Sequence, residues 1–132
     1  MNIQSASAIP GNQMIRGFGN WYTGASPNAL WTSTGGTNNP CPTGFHVPTQ
    51  GEWSALLTAA SITNSTQAYN SLLVLPLAGR RWYHDATPRD FGAYGWYWSS
   101  TVNTAESAYV IIFWSSNSQY RAEASSVRCI QN

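Results

Sequence analysis

Between Asp90 and Trp114 the chain reads D-F-G-A-Y-G-W-Y-W-S-S-T, breaks briefly, and continues as S-A-Y-V-I-I-F-W. The second run is apolar at every position from 108 to 114. Successive side chains of a strand point to opposite faces, so Tyr109, Ile111 and Phe113 form one set and Ala108, Val110, Ile112 and Trp114 the other. A strand apolar on both sets is either covered on both faces or exposes one of them as an interaction patch. W-Y-W-S-S-T reads as the preceding strand. S-S-N after Trp114 reads as a turn, S-Q-Y-R-A-E as a further strand, and S-V-R-C-I as the last one.

Upstream, T-Q-G-E-W-S-A-L-L pairs Thr49 with Glu52 in a capping box, and Trp53, Leu56, Leu57 and Ala60 recur at helical spacing. The pattern predicts a helix from about Gln50 to Ala60, with Pro48 preventing an earlier start. A short second helix is expected near Thr66–Ser71. L-L-V-L-P-L-A-G-R-R-W-Y reads as an edge or irregular strand because Pro76 cannot donate to a ladder. The first 40 residues are rich in Gly, Ser, Asn and Pro. Short strands are expected around Met14–Gly17 and Ala29–Trp31, with residues 1–35 as linker and first strands. A helix followed by a run of strands predicts an α+β fold with a mostly antiparallel sheet in a single globular domain.

Composition narrows the function classes. Charged residues make up 8% of 132, against roughly a quarter in ordinary soluble domains. All six cations are arginines, so solubility rests on Ser, Thr and Asn. A net charge of +1 with no basic cluster argues against a nucleic-acid partner. No run reaches the roughly 18 apolar residues of a membrane span, so membrane insertion is not expected. The N-terminus lacks the features of a signal peptide. Either Met1 begins a piece of a longer exported protein, or the protein leaves its cell without a signal.

The two cysteines stand 88 positions apart. They form a bridge, worth about 4–5 kcal/mol on the chain-entropy account, or remain as two buried thiols. A Cys41–His46 nucleophilic pair requires the second state. Five acids are too few and too scattered for a calcium-dependent sugar site. Asp85 and Asp90 read as solvated loop acids or ligands of a structural ion. No cofactor is expected.

Four separated motifs carry a resemblance. P-C-P-T-G-F-H-V-P-T-Q-G-E-W (40–53), L-P-L-A-G-R-R (75–81), G-A-Y-G-W-Y-W-S-S-T (92–101) and S-V-R-C-I (126–130) occur in this order. In this the chain resembles the C-type-lectin-like "major paralogous domain" (FISUMP) family of bacterial surface proteins and phage tail fibres. It is also similar to the variable proteins of diversity-generating retroelements. The resemblance implies a C-type-lectin-like domain over 36–132, termini close together, and a Cys41–Cys129 bridge. Ala124 stands where the pattern has glycine, and the segment between Asn117 and Arg121 is short.

The family pattern places Tyr109, Ile111 and Phe113 in the core and leaves Val110, Ile112 and Trp114 on the outer face. Glu106, Tyr120 and Arg121 are their polar neighbours, and an aromatic with an arginine is usual at binding hot spots. Trp96 and Trp98 read as core, with Ser99 and Ser100 satisfying backbone groups at the strand end, and Arg128 as the partner of a carboxylate near the termini. The implied function is non-enzymatic recognition of a cell-surface glycan or protein receptor by the tip of a phage tail fibre or a diversified variable protein. Such a domain is extracellular or on the virion surface, with oligomerisation as part of a fibre. The alternative is an adhesin or lipoprotein module on a bacterial cell surface.

Overall fold

Thr49 opens the main helix through the capping box that its sequence predicts. In the computed structural model, which describes residues 31–32, 39–113 and 115–132, Thr49 Oγ1 accepts from Glu52 N–H at 3.2 Å. Glu52 Oε2 accepts from Thr49 N–H in return, at 2.8 Å. Helix α1 (Gln50–Ala59) follows. Its Trp53 is fully buried and donates from Nε1 to Trp98 O at 3.2 Å. Gln50 fixes the helix start, donating from its backbone N–H to Thr101 Oγ1 at 2.9 Å and from Nε2 to Ser116 Oγ at 2.7 Å. Helix α2 (Ser65–Asn70) is capped by Asn64 Oδ1, which accepts from Gln67 N–H at 2.9 Å.

Glu52 also joins the two ends of the described fold. Strand β1 (Phe45–His46) pairs antiparallel with the C-terminal strand β7 (Ile130–Gln131). Buried His46 reaches Asn132 Oδ1 from Nδ1 at 2.7 Å and both Glu52 carboxylate oxygens from Nε2 at 3.2 Å. Burial pushes the Glu52 carboxyl up, but hydrogen bonds from Thr49 and His46 outweigh it and hold the group below the usual range. A disulfide between Cys41 and Cys129, with Cα atoms 5.8 Å apart, closes the same seam.

The remaining strands are β2 (Arg80–Arg81) and β3 (Pro88–Arg89), a short hairpin, then β4 (Tyr97–Val102), β5 (Ser107–Ile112) and β6 (Ser115–Tyr120). The last three form an antiparallel sheet with β5 in the middle. The fold is therefore α+β, with two helices and several small antiparallel sheets among the described residues.

Both faces of β5 are covered. On one, Ile111 and Phe113 pack with Trp53, Ile62, Ala68, Leu75 and Tyr97 beneath the helices. Tyr97 also donates its hydroxyl to Pro76 O at 2.8 Å, and burial pushes the phenol up to about 12. On the other, Val110 and Ile112 pack with Val47, Trp96 and Trp98, flanked by Trp31, Cys41 and Ala108. Gly95 makes the first cluster possible, because a Cβ there would lie 2.6 Å from the Phe113 ring.

Three sequence expectations change. Residues 72–79 form no regular strand: Val74 adopts φ +42° in a tight turn after α2, and Gly79 sits at φ +62°, where a Cβ would strike Arg89 O. The expected turn S-S-N instead begins β6, because the Ile112↔Ser115 register leaves only positions 113 and 114 between the strands. R-A-E turns rather than extends, with Glu123 N–H donating to Tyr120 O at 2.9 Å. Ala124 needs no glycine: it bridges Arg81 and has no positive φ. The strand expected at Met14–Gly17, most of Ala29–Trp31 and the 1–35 linker lie outside the described residues, Trp31 and Thr32 excepted.

Val74 is a β-branched residue in the left-handed region with 59% of its surface exposed, so little packing offsets its backbone cost. Val74→Asn is expected to raise stability by about 1 kcal/mol in urea unfolding. A loss would show that the exposed side chain contributes more than its backbone costs.

Candidate binding surface

The hairpin between β2 and β3 is shaped by its own polar groups. Asp85 Oδ1 accepts from Thr87 N–H at 2.9 Å and Thr87 Oγ1–H at 2.6 Å, a side-chain turn typical of Asp. These two hydrogen bonds hold the Asp85 carboxyl below its ordinary value. Ala86 takes φ +59° and donates to Trp82 O at 2.9 Å, while Trp82 N–H donates to Thr87 O at 3.1 Å. With the tip closed in this way, W-Y-H at 82–84 leads into the turn with His84 exposed and Trp82 and Tyr83 half-buried.

The rings of this segment pack against one another. Arg89 lays its guanidinium 3.9 Å from the Trp82 ring centroid and reaches Asp85 at 3.8 Å. Tyr83 meets Trp82 at 5.4 Å and His84 at 6.4 Å, each edge to face. It also meets Tyr120, at the end of β6, at 4.8 Å in the same geometry. His84 is exposed, Tyr120 is 36% exposed, and Trp82 and Tyr83 are half-buried.

Arg80 holds the hairpin in this position. Its guanidinium stacks 4.0 Å from the Trp96 ring, donates from Nη1 to Glu123 Oε2 at 3.0 Å, and from Nε to Asp90 Oδ2 at 3.3 Å. The Glu123 side chain is almost wholly buried. Burial raises its carboxyl above the usual range, and the Arg80 charge only partly opposes this. Alongside, Arg81 and Ala124 exchange two backbone hydrogen bonds of 2.8 and 3.1 Å. Since Ala124 lies just beyond the turn that ends β6, these contacts bring Tyr83 to Tyr120.

The predicted site residues divide. Glu106, Tyr120 and Arg121 come together at one end of the sheet. Arg121 N–H donates to Glu106 O at 2.9 Å, its Nη2 to Thr104 O at 3.0 Å, and Tyr120 pairs with Ser107. Burial lowers the Arg121 pKa, although a guanidinium stays charged. Val110 and Ile112 do not belong with them. They are 0% and 7% exposed, because Trp96, Trp98 and Val47 cover the face expected to be outside. Trp114 lies outside the described residues.

Other expectations resolve along similar lines. Trp96 and Trp98 are core, and Ser99 Oγ accepts from Thr101 N–H at 3.0 Å. Ser100 does not play the expected part: its buried Oγ has no hydrogen-bond partner among the described residues, β4 continues past it to Val102, and its backbone N–H donates to Pro48 O at 2.9 Å. Arg128 is exposed and makes no ion pair among the described residues; the carboxylate of Glu123 is taken by Arg80. Cys41 is bonded to Cys129, so it offers His46 no thiol. Asp85 and Asp90 serve the turn and Arg80, and among the described residues no three His, Cys, Asp or Glu side chains gather as a metal cluster. Among them, too, no helix is long and apolar enough to cross a membrane.

Sequence reasoning missed Trp82, Tyr83, His84 and Arg89. The available signal was three consecutive rings followed by D-A-T-P, a turn-forming sequence with no apolar periodicity to bury them. In comparison with known proteins, no protein-family model, no curated protein and no solved structure matches this chain.

Two substitutions check these assignments. Ile112→Asn buries an amide in an apolar cluster and is expected to cost about 4 kcal/mol or more. A melting temperature within a few degrees of the parent would return Ile112 to the surface. Arg80→Met leaves Glu123 buried and unpaired and is expected to cost about 3–5 kcal/mol, most of it recovered in Arg80→Met/Glu123→Leu. Additive losses in urea unfolding of the two single variants and the double would mean that the pair is not coupled.

Proposed function

We propose that this chain is a non-enzymatic binding domain that recognises a ligand on a cell surface. The observation that carries the reading is the Trp82–Tyr83–Tyr120 cluster with Arg89, a partly exposed aromatic and arginine group set on a braced hairpin. Trp, Tyr and Arg are the residues that dominate binding hot spots. Pre-organised loops on a rigid scaffold are where recognition residues concentrate. Here the bracing comes from Arg80 beneath the hairpin and from the disulfide and β1–β7 pairing at the seam.

The class we favour is a C-type-lectin-like domain akin to the FISUMP group, acting as the tip of a phage tail fibre or as a retroelement-diversified variable protein. Its support is the order of the four motifs together with the α+β arrangement, the antiparallel sheet and the disulfide that joins the first and last of those motifs. The disulfide also suits an oxidising setting outside the cytoplasm.

The test is direct binding of the folded chain to envelopes from a panel of bacterial strains. Tyr83→Ala/Tyr120→Ala is expected to lose at least about tenfold in affinity, roughly the 1.4 kcal/mol of a modest hot spot. Its melting temperature is expected to move by only a few degrees. Undiminished binding by this variant would remove the hairpin from the site, and absence of binding to every envelope would remove the function.

A further inference from the structure

We infer that the ligand is an uncharged oligosaccharide lying along β6, with one sugar ring packed against the Tyr83–Tyr120 pair. This rests on the binding reading above and adds the chemical class. β6 runs S-S-N-S-Q-Y, and Ser115 to Ser118 are exposed. Hydroxyl and amide side chains both donate and accept, as sugar hydroxyls do, so a row of them matches a polyhydroxylated chain without a fixed register of charges. Asn117 Oδ1 accepts from Ser118 N–H at 2.8 Å, which holds the amide and turns its NH2 away from that bond. Ser116, Ser118 and Tyr120 share one face of β6 and Ser115 and Asn117 the other, so a chain lying along the outer edge of this strand, unpaired among the described residues, meets both sets. At the end of the strand stands Tyr120, whose ring meets Tyr83 edge to face. An aromatic surface beside polar groups is what the apolar C–H face and hydroxyl rim of a pyranose require.

Two other ligand classes fit less well. A protein partner at this surface needs a dry apolar centre with a polar rim. Beside β6 the residues expected to form one, Val110 and Ile112, are inside the fold, while the most exposed apolar side chains, Leu72, Val74 and Phe91, belong to the loops on either side of β2 and β3. An anionic ligand on this surface needs available cations beside β6, but Arg80 is committed to Glu123 and Asp90, Arg89 to Asp85 and Trp82, and Arg121 donates to Thr104 O. The exposed Arg128 stands two residues past Ser126, which bridges Tyr97 of β4, on the opposite edge of the sheet. β6 itself carries no charge.

The experiment uses the whole chain on immobilised neutral and acidic oligosaccharides, and on bacterial envelopes that are untreated, periodate-oxidised or protease-digested. Periodate cleaves the vicinal diols of sugars; protease removes polypeptide. Binding to neutral sugars, or envelope binding that periodate abolishes and protease spares, is the expected result. Tyr120→Ala and Asn117→Ala should each weaken binding at least about tenfold, while Tyr69→Ala on α2 should leave it unchanged. Three results overturn the inference while leaving the binding function standing. These are binding confined to acidic sugars, binding lost to protease but resistant to periodate, and full affinity in both β6 variants. Binding to no sugar and no envelope overturns the function itself, and the ligand class with it.

Discussion

The burial of β5 on both faces is the constraint on which the rest of the structure depends. Ile111 and Phe113 need the helices on one side, and Val110 and Ile112 need Trp96, Trp98 and Val47 on the other. A central strand of this kind fixes the neighbours on either edge, since a one-residue slip of β5 would exchange its two apolar sets between differently shaped clusters. β4 and the residue before it are thereby set to deliver Tyr97 to one cluster and Trp96 and Trp98 to the other. β6, on the opposite edge, needs no large apolar side chain until Tyr120. The polar, exposed sequence of β6 is thus a consequence of how completely β5 is enclosed by everything else.

Outside that core, four of the five acids serve positioning. Of the five acids, Glu52 caps α1 and meets His46, Asp85 shapes the hairpin tip, and Asp90 and Glu123 share Arg80. The Arg80 arrangement is unusual in combining a stacked tryptophan with a nearly inaccessible carboxylate. Buried ion pairs add little net stability, because desolvation consumes most of the Coulomb gain, but removing one partner is costly. The role of the Arg80–Glu123 pair is therefore registry. It sets where the hairpin sits relative to the end of β6, and so whether Tyr83 touches Tyr120.

How much of this was legible in the sequence follows from how local each determinant is. Thr49 and Glu52 lie three residues apart, so the capping box and the helix could be read directly. The aromatic and β-branched runs W-Y-W and Y-V-I-I-F made β4 and β5 readable, and the disulfide was one of two open readings of a single cysteine pair. Whether Val110 and Ile112 face solvent was not legible. An apolar set looks the same whether Trp96, Trp98 and Val47 cover it or water does, and those residues arrive from elsewhere in the chain. The β5–β6 turn was displaced for a related reason: S-S-N has turn composition, but the pairing of Ile112 with Ser115 takes it into the strand. The hairpin site was hidden because Tyr83 and Tyr120 are brought together only by Arg80 and Ala124, contacts that no spacing announces.

The central claim is that the outer set of β5 is core and that recognition belongs to the hairpin and the end of β6. Hydroxyl-radical footprinting of the folded chain, read residue by residue, tests both halves at once. Tyr120, Tyr83 and His84 are expected to oxidise readily, with Val110 and Ile112 unmodified until the protein unfolds. Rapid labelling of Val110 or Ile112 in the native state, with Tyr83 and Tyr120 shielded, would contradict the claim.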